Sequence, residues 1–142
     1  MGTQWGDNKK KLIVTVGLTG SGKSTWAQKS GYPVVGRDAF GHALNAFNCF
    51  DAFSKKNYQK LFIILKIAIY ALFDSGHDTV VLDWTNVTKK DREYWLHDSW
   101  ETEYKIIPTD VETCLSRNNR PNTKEDIQRL LDTCDIPGIR GE

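Results

Sequence analysis

Three signals follow one another without a gap between Leu12 and Lys29, and together they constrain the fold more than any other stretch. Leu12-Ile13-Val14-Thr15-Val16 is a short apolar run rich in β-branched residues, the pattern of a buried strand. Gly17-Leu18-Thr19-Gly20-Ser21-Gly22-Lys23-Ser24 fits G-x-x-x-x-G-K-[ST]. Thr25-Trp26-Ala27-Gln28-Lys29 then reads as the first turns of a helix that stops at Ser30-Gly31. Strand, glycine loop and helix is the frame in which this motif, the P-loop, cradles phosphate: backbone N–H groups turn inward around the oxygens, and the helix N-terminus adds partial positive charge. The nucleotide-binding residues expected from it are Gly17, Thr19, Gly20, Ser21, Gly22, Lys23, Ser24 and Thr25. Lys23 is placed to reach the β- and γ-phosphates of ATP and the Ser24 hydroxyl to ligate Mg²⁺.

The chain has 142 residues, enough for one core. Its formal net charge of +1 neither demands nor excludes a nucleic-acid partner. Cys49, Cys114 and Cys134 are odd in number and lack C-x-x-C spacing, which fits reduced thiols, and His42, His77 and His97 have no ligand-like spacing to them. Met1 to Lys11 is polar and lysine-rich, without the apolar stretch of a signal peptide. The apolar run Leu61 to Phe73 is broken by Lys66, is too short to span a bilayer and reads as a buried helix. A soluble protein without a membrane partner, in the cytoplasm (a host's cytoplasm if phage-encoded), is the expectation.

The remaining chain alternates strand and helix signals. Strands are expected at Pro33 to Gly36, Thr79 to Asp83 and Tyr104 to Ile107. Helices are expected over Asp38 to Asn48, Lys55 to Asp74 (apolar on most faces), Thr88 to Trp100, Val111 to Asn119 and Thr123 to Cys134. Thr88-Lys89-Lys90-Asp91 has the form of a capping box with Asp for Glu. This predicts an α/β fold: a short parallel sheet of about four strands with helices on both faces, in a single domain over 11–135. A flexible segment (1–10) precedes it and a tail (136–142) follows. In such sheets ligands lie beyond the carboxyl ends of the strands. Three segments fall there: Gly17 to Ser24, Arg37-Asp38, and Asp83-Trp84-Thr85-Asn86.

Two roles are open to Asp38, a proton acceptor for an attacking hydroxyl or a helix N-cap. Asp83 ends an apolar strand, as a metal-orienting aspartate does. Thr85 and Asn86 offer a hydroxyl and an amide, or simply close a polar turn. Trp84 is either a stacking surface or a packing residue, and Lys89, Lys90 and Arg92 are either backbone-phosphate contacts or a solvated face. Arg117 and Arg120 flank Asn118-Asn119 after the last strand, where a lid over transferring phosphates is one reading and a solvated helix face the other.

Taken in order, Gly17 to Thr25 with Trp26-Ala27, Gly36-Arg37-Asp38, Leu82-Asp83-Trp84-Thr85-Asn86 and Arg117-Asn118-Asn119-Arg120 resemble the motifs of the polynucleotide kinase family, which spans phage 5′-polynucleotide kinases and the kinase domain of the eukaryotic DNA-end-repair enzyme. The resemblance covers about Leu12 to Arg120 and implies a P-loop kinase. Asp38 would be the general base, Lys23 and Ser24 would hold ATP and Mg²⁺, and Thr85 and Asn86 would lie on the acceptor side; beside the resemblance, Arg37, Asp38 and Trp84 are expected to face the acceptor and Asp83 the metal. Arg117 or Arg120 would serve as the lid arginine. It implies transfer of a phosphoryl group to a hydroxyl of DNA or RNA. The phage enzymes carry an arginine three residues past the base, where this chain has Gly41, and no D-x-D-x-T phosphatase motif occurs. Three acceptors stay open: a polynucleotide 5′-hydroxyl, the hydroxymethyl group of 5-hydroxymethyluracil in phage-type DNA, and a small molecule such as a nucleoside.

Overall fold

The structure, a computed structural model, describes residues 9–18, 20–44, 55–117 and 123–136. The 1–8 and 137–142 parts of the expected terminal segments, Cys49, and the expected helix beyond position 44 lie outside them. Four strands form one all-parallel sheet: β1 (Lys11–Val16), β2 (Val34–Gly36), β3 (Thr79–Asp83) and β4 (Glu101–Ile106), in spatial order β2-β3-β1-β4. The crossovers carry α1 (Lys23–Lys29), α2 (Arg37–Ala43), α3 (Tyr58–Asp74, led by a 3₁₀ turn at Lys55–Asn57) and α4 (Lys89–Glu93). After β4 come α5 (Val111–Ser116) and α6 (Thr123–Thr133).

The period of two along each strand sorts the core into layers. Leu12, Val14, Val80 and Leu82 point to one face, where they meet Leu61, Leu65, Ile69 and Phe73 of α3. Ile13 and Val81 point to the other, against Ala27 of α1. A third cluster joins Val16, Leu18 and Val87 to Cys114, Ile127 and Cys134 beneath α5 and α6. Helices therefore cover both faces, as the alternation of signals predicts.

Three expectations are corrected. The helix expected over Thr88 to Trp100 stops at Glu93, although its start is as read, with Thr88 Oγ1 accepting from Asp91 N at 3.1 Å. Trp95 and Trp100 explain the stop. Five residues apart on a helix they would point about 140° away from each other, yet both are buried in the α3 cluster. An irregular turn brings them together, and Trp100 Nε1 donates to Trp95 O at 2.9 Å. The last strand is longer than the apolar run Tyr104 to Ile107 suggests. It begins at Glu101, because an edge strand is held by its backbone register with β1, Lys11 opposite Glu101, and needs no apolar sequence. Finally, α3 buries a single i, i+4 stripe, and Ile63, Ile64 and Ile67 are exposed on its outer side.

Candidate functional site

The loop from Gly17 to Ser24 leaves the carboxyl end of β1 and turns directly into α1. Gly22 caps α1 with φ 104°, a left-handed conformation that a β-carbon would strain. At Gly17 a β-carbon would lie 2.7 Å from Ser21 Oγ and 3.0 Å from Ile107 O, so the loop closes on itself only because that side chain is missing. Gly17 N–H donates to Thr85 O at 3.0 Å, tying the first residue of the loop to the end of β3. Thr19 lies outside the described residues. Thr25 is exposed on the first turn of α1.

Lys23 is buried, and its Nζ donates to Leu18 O at 2.7 Å, inside its own loop. Burial pushes its pKa below the usual lysine value; the charges of Asp83 and Asp38 oppose that push. The Ser24 hydroxyl donates to Asp83 Oδ2 at 2.6 Å. Burial raises the Asp83 pKa, the Ser24 bond and Lys23 lower it, and Asp38 raises it again. A hydroxyl and a carboxylate facing each other at hydrogen-bond distance are hard oxygen donors of the type Mg²⁺ takes, and Mg²⁺ keeps several further waters or phosphate oxygens. Ser24 and Asp83 therefore fit the metal expected of them.

Asp38 is on α2, which begins at Arg37, directly after β2. It lies within the first helical turn, one residue past the start. Asp38 follows β2, whose last residue Gly36 is paired with Asp83, and its charge acts on both Lys23 and Asp83. Arg37 Nε is 3.6 Å from Asp38 Oδ1, and Arg37 Nη1 donates to Tyr58 Oη at 2.8 Å. Arg117, at the end of α5, reaches over the loop from the far side: its Nη1 donates to Gly20 O at 3.2 Å. Arg120 lies outside the described residues.

The acceptor-side residues separate. Thr85 is half-buried beside the loop. Trp84 packs edge-on against Tyr58 and Phe62 of α3, with ring centroids 5.3 and 4.9 Å apart, which makes packing its observed role. The expectation for Asn86 does not hold. Its side chain is wholly buried, Nδ2 donates to Thr15 O at 2.9 Å, and Oδ1 accepts from Trp95 Nε1 at 3.1 Å. With φ at 49° it turns the chain after β3 in a conformation that asparagine tolerates better than most residues. Arg92 is likewise occupied, donating to Asn86 O at 3.1 Å and pairing with Asp135 at 2.6 Å, and Lys89 lies 3.8 Å from Glu93.

Asn86→Ala is expected to leave the Trp95 indole N–H buried without an acceptor, costing about 2–4 kcal/mol and lowering the melting temperature by roughly 6–12 °C. Calorimetry with acceptor kinetics below the transition checks this. A tenfold rise in acceptor KM with unchanged melting would return Asn86 to the acceptor side.

Three contacts at this rim escape a motif search. Thr109 Oγ1 donates to Ser21 O at 2.6 Å, Thr15 Oγ1 donates to Trp84 O at 2.9 Å, and Tyr58 holds Arg37. Thr109 follows the carboxyl end of β4, so the rule that places ligand-binding segments beyond strand ends was the available signal. Nothing in the sequence marks Tyr58 as a partner of Arg37.

Comparison with known proteins agrees with this architecture. The chain is similar to a chain of the Pnkp1/Rnl/Hen1 RNA repair complex, with TM-score 0.62 and 19% identity, covering 89% of this chain and 47% of that one. It spans about half the length of that protein. It is also similar to shikimate kinase from Acinetobacter baumannii, with TM-score 0.54 and 19% identity, covering 97% of this chain and 83% of that one. Among the described residues no helix is long and apolar enough to cross a membrane. Residues 12–134 match the model of an AAA domain family; the chain belongs to that family and has the P-loop kinase fold.

Proposed function

We propose that the chain is an ATP-dependent phosphotransferase whose acceptor is a hydroxyl of nucleic acid, most directly a 5′-hydroxyl end. One observation carries the reading: the Ser24–Asp83 pair, the buried Lys23 and the Asp38 carboxylate act on one another at the carboxyl ends of three adjacent strands. A nucleotide-binding switch needs phosphate and metal contacts but no second carboxylate, such as Asp38, to accept a proton. The order of motifs, with Arg37-Asp38 after β2 and Thr85 after β3, supports a polynucleotide acceptor, as does the likeness to a chain of an RNA repair complex.

In this mechanism the loop and Lys23 hold the β- and γ-phosphates, with Lys23 moving from Leu18 O onto phosphate oxygen. Ser24 and Asp83 would hold Mg²⁺, which would supply positive charge to the transferring phosphate. The acceptor oxygen bonds to the γ-phosphorus as the bond from that phosphorus to the β,γ-bridging oxygen breaks, and ADP leaves. Asp38 orients the acceptor and takes its proton. Arg37 steadies Asp38 from one side, while Arg117 adds positive charge from above the loop. Thr85, beside the first turn of the loop, faces the acceptor.

A second reading, a small-molecule acceptor, draws on the likeness to shikimate kinase, of whose length this chain covers 83%. A panel of acceptors incubated with γ-labelled ATP separates the readings: 5′-hydroxyl DNA and RNA oligonucleotides, duplexes carrying 5-hydroxymethyluracil, and free nucleosides and small alcohols. Label is expected on 5′-hydroxyl ends at a kcat/KM at least about a hundredfold above nucleosides, a gap reflecting contacts to the strand. Label on small alcohols in preference to oligonucleotides overturns the nucleic-acid assignment. Label on internal hydroxymethyl bases alone moves it from the strand end to the base.

A further inference from the structure

The outer edge of β4 ends the sheet, and among the described residues no strand pairs with it. Five of its six residues are exposed, Tyr104 to 40% and Ile106 to 44%. Such an edge is a template for another strand unless charge or proline blunts it. This one has no proline, and its charges have both signs: Glu101, Glu103 and Lys105.

The backbone fixes which groups are on offer. Glu101 N–H donates to Lys10 O and Ile107 N–H to Val16 O. In a parallel ladder the donors to β1 alternate, so 101, 103, 105 and 107 face β1 and the N–H and C=O groups of Thr102, Tyr104 and Ile106 face outwards. By register the side chains of Thr102, Tyr104 and Ile106 share the face of Leu12, Val14 and Val16, while Glu103 and Lys105 share that of Ile13 and Thr15.

We propose that β4 pairs antiparallel with β4 of a second copy, about a two-fold axis at Tyr104, joining two four-stranded sheets into one. This register sets Tyr104 opposite the partner's Tyr104 and Thr102 opposite the partner's Ile106, in pairs whose outward N–H and C=O groups bond one another. Glu103 then falls opposite the partner's Lys105, and Lys105 opposite the partner's Glu103, in the closely spaced positions between those bonds, where cross-strand side chains are nearest. A shift of one residue opposes outward groups with groups already used by β1. A two-residue shift puts Glu103 against the partner's Glu103 or Lys105 against the partner's Lys105. The edge is thus complementary to itself in one register. In the single copy Glu103 is 3.7 Å from Lys11 and Lys105 lies over the Trp26 ring at 5.5 Å, both exposed contacts of small worth that leave the two side chains standing at the edge.

Sedimentation and light scattering between roughly 1 and 100 µM test this. Wild-type chain is expected to pass from monomer to dimer in that range, with dissociation favoured by salt. Lys105→Glu and Glu103→Lys are each expected to weaken self-association by about tenfold or more, since each turns both cross-strand pairs into like charges. Mixed together, the two variants are expected to form a heterodimer, and the double variant carrying both changes is expected to dimerise as wild type does. Tyr104→Pro removes an outward N–H without breaking a bond to β1 and is expected to give a monomer with unchanged circular dichroism. A wild-type monomer throughout the range overturns the proposal. So does a dimer indifferent to Lys105→Glu, which places the interface elsewhere, and so does the failure of the mixed variants to associate.

Discussion

Lys23→Ala is expected to lower kcat/KM for phosphoryl transfer by about a thousandfold, a loss of about 4 kcal/mol of transition-state stabilisation. Phosphoryl transfer leaves the protein little covalent chemistry to perform, so positioning and charge neutralisation account for most of the rate. Lys23 is the cation built into the loop itself, buried and directed at Leu18 O from the first turn of α1. The described arginines at the rim are committed differently. Arg37 spans Asp38 and Tyr58, and Arg117 approaches from an exposed helix end. Neither reaches the interior of the loop.

Burial also gives the pH dependence a sign. The Lys23 pKa lies below its ordinary value, and kcat/KM reports the free enzyme. Activity that needs the Lys23 cation is therefore lost as pH rises, with the fall beginning below pH 10.5, the ordinary lysine value. Initial rates with labelled ATP across pH, beside the melting temperature of the variant, measure both. Transfer by a folded Lys23→Ala protein within tenfold of wild type would show that the loop does not hold the nucleotide.

The parts of this site legible beforehand are those where local sequence and tertiary position coincide. Gly17 to Ser24 is readable because each glycine answers a local backbone demand and the flanking strand and helix are both short and periodic. Asp83 is readable because an apolar strand must end at the sheet rim. The limits of legibility have equally definite causes. Asn86 offers the same amide to an acceptor or to the core, and what decides is Trp95, nine residues later, whose indole needs a buried acceptor. The helix at Thr88 has a genuine cap, yet its length is set by two tryptophans that must reach α3 together. Helical propensity loses there to tertiary packing. The start of β4 is hidden because an edge strand pairs through its backbone, and Glu101-Thr102-Glu103 carries no apolar signal. Thr109 and Tyr58 act through single hydrogen bonds to Ser21 and Arg37, across 88 and 21 residues of sequence, separations at which no local pattern operates.

Asp38→Asn is the change that separates a kinase from a protein that merely binds nucleotide. It is expected to reduce kcat by about 10²–10⁴-fold, the usual contribution of a positioned general base, while ATP affinity stays within a few-fold of wild type. Asparagine keeps the shape of the side chain and a carbonyl oxygen for Arg37, so the first turn of α2 has no reason to rearrange. What it lacks is the capacity to take a proton. Its electrostatic effect on the nucleotide side has two opposed parts. Loss of the Asp38 charge lowers the Lys23 pKa further, and it relieves the upward push on Asp83. The first weakens phosphate binding slightly and the second favours the metal-binding carboxylate, so the two offset in ATP affinity and neither replaces the base. Calorimetric titration with a non-hydrolysable ATP analogue gives the affinity, and single-turnover transfer to the acceptor selected by the panel gives the rate. Intact turnover in Asp38→Asn would remove the carboxylate from the reaction, while a parallel loss of ATP affinity would move Asp38 to the nucleotide side of the rim.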